Sequence, residues 1–180
     1  GGSGAVFFSG CTLRCCFCQN SLLSKDHFGK KLTVNELGDA FLRLQDKGAY
    51  NINLVTPTQF FPDIIKALDL VRHKLHIPVV CNCGGYERPE IISLLKDFDN
   101  ELAFRYSKAK DYFEQASASI AQMITQTGAP EYTLHPSSVP GRPDFPLMTK
   151  GVIIRHMVLP GHKDDSIALL HWIKENLPRD

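Results

Sequence analysis

No apolar run in this 180-residue chain approaches the roughly 18 residues of a membrane-crossing helix. An excess of one charge is also missing: 20 basic residues stand against 19 acidic ones, for a net charge of +1. Without an excess there is no strong field to draw the chain to nucleic acid or to an anionic lipid surface. There is no basic stripe with interleaved aromatics either. Neither a nucleic acid nor a membrane is therefore expected as a partner. Gly1-Gly2-Ser3-Gly4 has no charged segment ahead of an apolar one and is not a signal peptide. The expected location is the cytoplasm. An initiator methionine is lacking, so the chain reads as a fragment, and its first four residues as either a linker or the lead into a native strand.

What is present, and unevenly placed, is cysteine. Of the six, four lie at 11–18 and two at 81–83. A secreted, disulfide-stapled domain would spread them, so this pattern points to metal or redox chemistry. The rest of the composition is that of one globular domain, long enough to bury about 70% of the surface its unfolded chain exposes.

The run Cys11-Thr12-Leu13-Arg14-Cys15-Cys16-Phe17-Cys18-Gln19-Asn20 follows an apolar segment, residues 5–10, that reads as a buried strand. Three thiolates at Cys-x3-Cys-x2-Cys spacing can converge on one iron–sulfur cluster and leave one iron open for chemistry. A structural zinc would take a fourth protein ligand, here Cys16 or a histidine. Cys16, lying between the other three, reads as a small buried hydrophobe. Cys81 and Cys83 share one strand face and read as packing residues. The histidines, His27 and His162 among them, show no metal-ligand spacing.

Strand and helix patterns alternate along the chain. Thr33-Val34-Asn35-Glu36 is a capping box, with Leu32 and Leu37 placed for a hydrophobic staple, and the helix it opens runs to about Lys47. Strands are expected at 51–57, 78–85 and 151–160. Helices are expected from Pro62, over 89–96, over 111–127 and over 166–177. Alternation at this spacing predicts an α/β fold with a parallel sheet. The chemistry of such folds gathers at the C-terminal ends of the strands. Between Gly85 and Gly151 no strand is evident, and 128–150, with five prolines and no periodicity, reads as a long surface loop.

Four segments in order, GGSGAVFFSGCTLRCCFCQN, GAYNINLVTPTQF, NCGGYE and IIRHMVLPGHKDD, resemble the pyruvate formate-lyase activating enzyme-related branch of the radical S-adenosylmethionine (SAM) superfamily. The resemblance implies a single radical SAM core domain over residues 1–180, without the family's N- and C-terminal regions. It implies a partial (β/α)6 TIM-like barrel, here incomplete because the fourth and sixth strands are not evident. Cys11, Cys15 and Cys18 would ligate a [4Fe-4S] cluster, and SAM would chelate its fourth iron. A flavodoxin or ferredoxin would supply the electron that cleaves SAM. The 5′-deoxyadenosyl radical would then abstract hydrogen from a glycine of a partner glycyl-radical enzyme. Other peptide or small-molecule substrates, or a degenerate, zinc-binding and non-enzymatic fragment, are the alternatives.

The same resemblance assigns SAM contacts residue by residue. Phe17 packs on the adenine, and Asn20 follows the last cysteine into the site. Thr56 and Thr58 stand where many relatives carry a Gly-Gly-Glu-like motif for the SAM amino group. Asn82 stands in place of an Asp-Thr-Asn-Gly motif and brings no charge. Arg155, late in its strand, reaches the SAM carboxylate. His156, on the alternate face, is structural. The family's Asp-x-Lys element has its nearest remnant at Asp97-Phe98.

Overall fold

A computed structural model of the chain describes residues 2–11, 13, 15, 18–26, 28–85, 99–104, 112–137, 140–156 and 163–178; of 99–104, 112–114 and 165 it describes the backbone alone. Cys16, Phe17, His27, His162, Asp97-Phe98 and the helix expected over 89–96 lie outside the described residues.

Five strands form one parallel sheet: β1 (Ser3–Phe7), β2 (Asn51–Val55), β3 (Val79–Cys83), β4 (Asp99–Phe104) and β7 (Val152–His156), in the order β1-β2-β3-β4-β7. Ser3 and Gly4 are integral to β1. A Cβ on Gly4 would sit 3.0 Å from the Asn51 carbonyl oxygen and 3.2 Å from Leu44 Cβ. The linker reading of these residues is therefore set aside in favour of the strand.

The helices are α1 (Ser21–Ser24), α2 (Val34–Asp46), α3 (Phe61–Val71), α4 (Tyr112–Thr127) and α5 (Lys163–Asn176). The capping box forms: Thr33 Oγ1 accepts from the Glu36 N–H at 3.2 Å, and the Thr33 N–H donates to Glu36 Oε2 at 2.8 Å. The Thr33 hydroxyl also donates to Glu36 Oε2, at 3.0 Å, and the two bonds to the carboxylate, first from the backbone N–H and then from the hydroxyl, hold it below the usual carboxylate range. Of the two residues placed for a staple, Leu37 is buried and Leu32 is half-exposed.

Burial alternates along the strands. Gly4, Ile52, Leu54, Val79, Cys81 and Cys83 are buried, and most of them join Phe41, Phe61, Ile64, Ala116, Ile120 and Met123 in one core beneath the helices. α2 and α3 meet at Gly38, where a Cβ would lie 2.9 Å from Val71 Cγ1 and 3.2 Å from the Ala67 carbonyl oxygen. The opposite face of the sheet carries Ala5, Phe7, Asn53, Val55 and Asn82, and it opens on a cavity.

Two expectations are corrected. A fourth strand exists: β4 pairs in parallel with β3 through Asn82 and Glu101 and with β7 through Ala103 and Arg155. Its opening residues, Asp99-Asn100-Glu101, are too polar to read as a strand alone; two flanking partners supply what local propensity lacks. The loop expected over 128–150 contains an antiparallel hairpin, β5 (Glu131–His135) with β6 (Phe145–Lys150). A two-stranded sheet is all edge, so Pro146 sits within β6 without breaking an interior ladder. Tyr50 packs its ring edge against His135 at 4.6 Å and against Phe145 at 6.0 Å, holding the hairpin to the start of β2.

Candidate functional site

The cysteine loop leaves the C-terminal end of β1 and is tied down on both sides. Phe8 N–H donates to the Val55 carbonyl at 3.0 Å, continuing the β1–β2 pairing past the strand. The chain then turns at Gly10, whose φ of +77 favours glycine. Gly10 N–H donates to Leu23 O at 2.8 Å and Cys11 N–H to Ser24 O at 3.1 Å, so the short α1 folds back and holds the first cysteine. Cys18 N–H donates to Cys15 O at 3.3 Å, and Cys18 Sγ lies 3.4 Å from Ser24 Oγ.

The turn after β2 grips the other side. Thr56 has φ +54, a strained setting for a β-branched residue. Its hydroxyl lies 2.7 Å from Val55 O and 3.1 Å from Phe8 O, and its single proton goes to one of these carbonyls. Toward a ligand the Thr56 oxygen can therefore only accept. Gln59, in the 3-10 turn Thr58–Phe60, donates from Nε2 to Ser9 O at 3.2 Å and also to Gly10 O. Successive carbonyls leading into Cys11 are thus held by one turn.

On the far side Arg155 Nη2 donates to Asn82 Oδ1 at 2.9 Å, joining β7 to β3 across β4. His156, on the alternate face, has Nε2 2.8 Å from the hydroxyl of buried Ser166 and ties β7 to α5, as expected of a structural residue. Gly84 leaves room for the loop: a Cβ there would come within 2.5 Å of Leu13 Cδ1.

These parts enclose one cavity of about 280 Å³ at the C-terminal ends of the strands. Cys11, Cys15 and Cys18 line it together. So do Asn20, Thr56, Thr58, Asn82 and Arg155, every sequence-predicted SAM contact among the described residues. Cys15 is buried, while Cys11 and Cys18 are half-buried. Cys81 belongs to the core; Cys83 is buried and also borders the cavity.

Among the lining residues that sequence reasoning did not assign are Gln59 and Asn53. Gln59 sits in a turn with no motif of its own. Asn53 left a faint signal: over Asn51-Ile52-Asn53-Leu54 polar and apolar residues alternate, whereas a parallel strand covered on both faces is apolar throughout. Asn53 Oδ1 is buried and has no hydrogen-bond partner among the described residues.

Three cysteines on one loop, facing polar side chains at three strand ends, define an α/β protein built for a cofactor at the mouth of its sheet. The family model of the radical SAM superfamily matches residues 5–106, more than half of the chain, and the chain belongs to that superfamily. The superfamily implies SAM-dependent radical chemistry, a [4Fe-4S] cluster and a partial TIM-like α/β fold. The chain is also similar to an uncharacterized protein, MJ0674, of Methanocaldococcus jannaschii, at 29% identity over 196 residues. That match covers 97% of this chain and 50% of the relative, so the chain spans about half the length of that curated relative.

The donor set fits the implied cluster. Three cysteines line one cavity together with residues that carry side-chain oxygen and guanidinium groups. Among the described residues, no three His, Cys, Asp or Glu side chains form a group that could hold a metal ion. A cubane makes a looser demand, because each thiolate binds a different iron.

Proposed function

We propose that this protein is a radical SAM enzyme of the glycyl-radical-activating type. Cys11, Cys15 and Cys18 hold a [4Fe-4S] cluster, and SAM lies between that loop and the ends of β2, β3 and β7. The observation that carries this is the shared cavity: three cysteines and the polar residues of three other segments line it together. Those same segments carry the resemblance to the pyruvate formate-lyase activating branch. When bound, cluster and SAM supply a 5′-deoxyadenosyl radical by one-electron cleavage of the sulfonium.

The chain's own residues bind and orient. Arg155 offers a guanidinium to the SAM carboxylate, and Asn82 fixes that guanidinium in place. The oxygens of Thr56 and Thr58 accept from the SAM ammonium, together with Asn20 beside the last cysteine. Gln59 keeps the loop entrance from drifting and so would hold the cysteines in a fixed position against the strand ends. Phe17 is assigned to the adenine. A flavodoxin or ferredoxin is the electron donor, a glycyl-radical enzyme is the partner, and a reducing, anaerobic cytoplasm is the setting.

The test is electron paramagnetic resonance on the anaerobically reconstituted protein mixed with SAM, dithionite and a candidate glycyl-radical enzyme. A glycyl-radical doublet on the partner is expected. SAM cleavage without a doublet on any candidate would move the assignment to a radical SAM enzyme acting on another peptide or a small molecule.

A further inference from the structure

Asn53 stands out among the cavity-lining residues because no described residue answers its side-chain oxygen. Its Oδ1 is buried and unpartnered among the described residues, which costs stability unless some other group donates to it. Its register neighbours on the same face are Ala5 on β1 and Val80 on β3, neither with a polar side chain. It sits two residues before Val55, and therefore about 6–7 Å deeper than the layer of Phe7, Val55 and Asn82. Of the described residues assigned to SAM, Asn82 lies in that layer, and Thr56, Thr58 and Arg155 come after it along their strands. The small side chain of Ala5 leaves space beside Asn53, and Phe7, 49% exposed, forms an apolar wall above it.

We propose that Asn53 is a substrate-binding residue that grips the main-chain amide of a glycine-containing segment. Glycine has no side chain, so a site that presents it for hydrogen abstraction can hold only its backbone N–H and C=O. A carboxamide is the matching group: its oxygen accepts from the N–H and its nitrogen donates to the carbonyl. This rests on the glycyl-radical-activating assignment made above and adds to it the residue that reads the substrate.

The test uses two short capped peptides, one centred on glycine and one on N-methylglycine, which lacks the N–H. Their affinities for the reconstituted full chain are measured by calorimetry with SAM present, and SAM cleavage without peptide is followed separately. Wild type should prefer the glycine peptide about tenfold, the effect of leaving a buried acceptor unpaired. Asn53→Ala should bind both peptides equally and weakly while cleaving SAM as wild type does. Its melting temperature should not fall, since it removes an orphaned group rather than creating one. If Asn53→Ala does not fold, Asn53→Ser, whose hydroxyl is too short to reach, carries the same comparison.

Equal affinities in wild type overturn the proposal, as does a preference that survives in the variant or no binding of either peptide. Loss of SAM affinity in the variant with peptide binding unchanged also overturns it, by making Asn53 a SAM contact. A wild type that discriminates the peptides but never cleaves SAM would sink the enzyme assignment and leave Asn53 as a peptide site. The reverse result would sink only the role of Asn53.

Discussion

Arg155 and Asn82 show how much a single side chain can decide. The guanidinium donates to Asn82 Oδ1 at 2.9 Å and borders the cavity where the SAM carboxylate is assigned. A charge-assisted hydrogen bond contributes about 1.5–3 kcal/mol, so Arg155→Ala should weaken SAM binding roughly tenfold or more. Arg155→Lys should recover only part, because an ammonium lacks the planar fork. Equilibrium dialysis of SAM against the reconstituted variants checks both. The cysteines make a sharper comparison. Cys11→Ala, Cys15→Ala and Cys18→Ala should each lose the cluster by iron and sulfide analysis, while Cys16→Ala should keep it. Loss of iron in Cys16→Ala, with one of the other three intact, would mean that the ligand set is wrong. That these three cysteines share one cavity was legible because their spacing on one loop is local. Asn53 and Gln59 were not, because their positions acquire meaning only when β2 and its turn lie beside β1.

At the scale of elements, the capping box of α2 was readable to the residue, since all its partners lie within four positions. Thr33→Ala should cost about 1 kcal/mol, seen as a lower urea midpoint of the apoprotein. Glu36 gives the box a pH dependence. Its carboxyl is held below the usual range when folded, so its contribution is full above the ordinary glutamate value and fades as pH falls through the folded one. The melting temperature of wild type should therefore fall toward that of Glu36→Gln on acidification from pH 6 to pH 3. A gap between the two that stays constant over this range would contradict the linkage. The α2–α3 contact makes a separate demand. Gly38→Ala gains roughly 0.5–1 kcal/mol in helix propensity, but its methyl meets Val71 Cγ1 and the Ala67 carbonyl oxygen. Overpacking of that kind costs about 1–3 kcal/mol, so a net loss of stability is expected in the same urea titration. Two elements were not legible. β4 opens on polar residues and is a strand because β3 and β7 flank it, and the β5–β6 hairpin is hidden among five prolines and held by the rings of Tyr50, His135 and Phe145.

Taken whole, the molecule places helices on one face of a parallel sheet and a cofactor-sized cavity at the C-terminal ends of its strands. That arrangement follows from the alternation of strand and helix patterns, which a single sequence displays well. Substrate identity does not follow, because it depends on loops and on which side chains the register brings to the inner face. The structure does change the expectation of an incomplete sheet: with β4 in place, Arg155 and Asn82 stand two strands apart and meet across it. The central claim is that the three-cysteine loop and this cavity form a working SAM-cleaving site. Its most direct test is to reconstitute the chain anaerobically with iron and sulfide, add SAM and dithionite, and quantify 5′-deoxyadenosine by chromatography. About four irons and four sulfides per chain, with 5′-deoxyadenosine formed only when both SAM and reductant are present, is the expected result. Stoichiometric zinc in place of iron, with no 5′-deoxyadenosine, would contradict it.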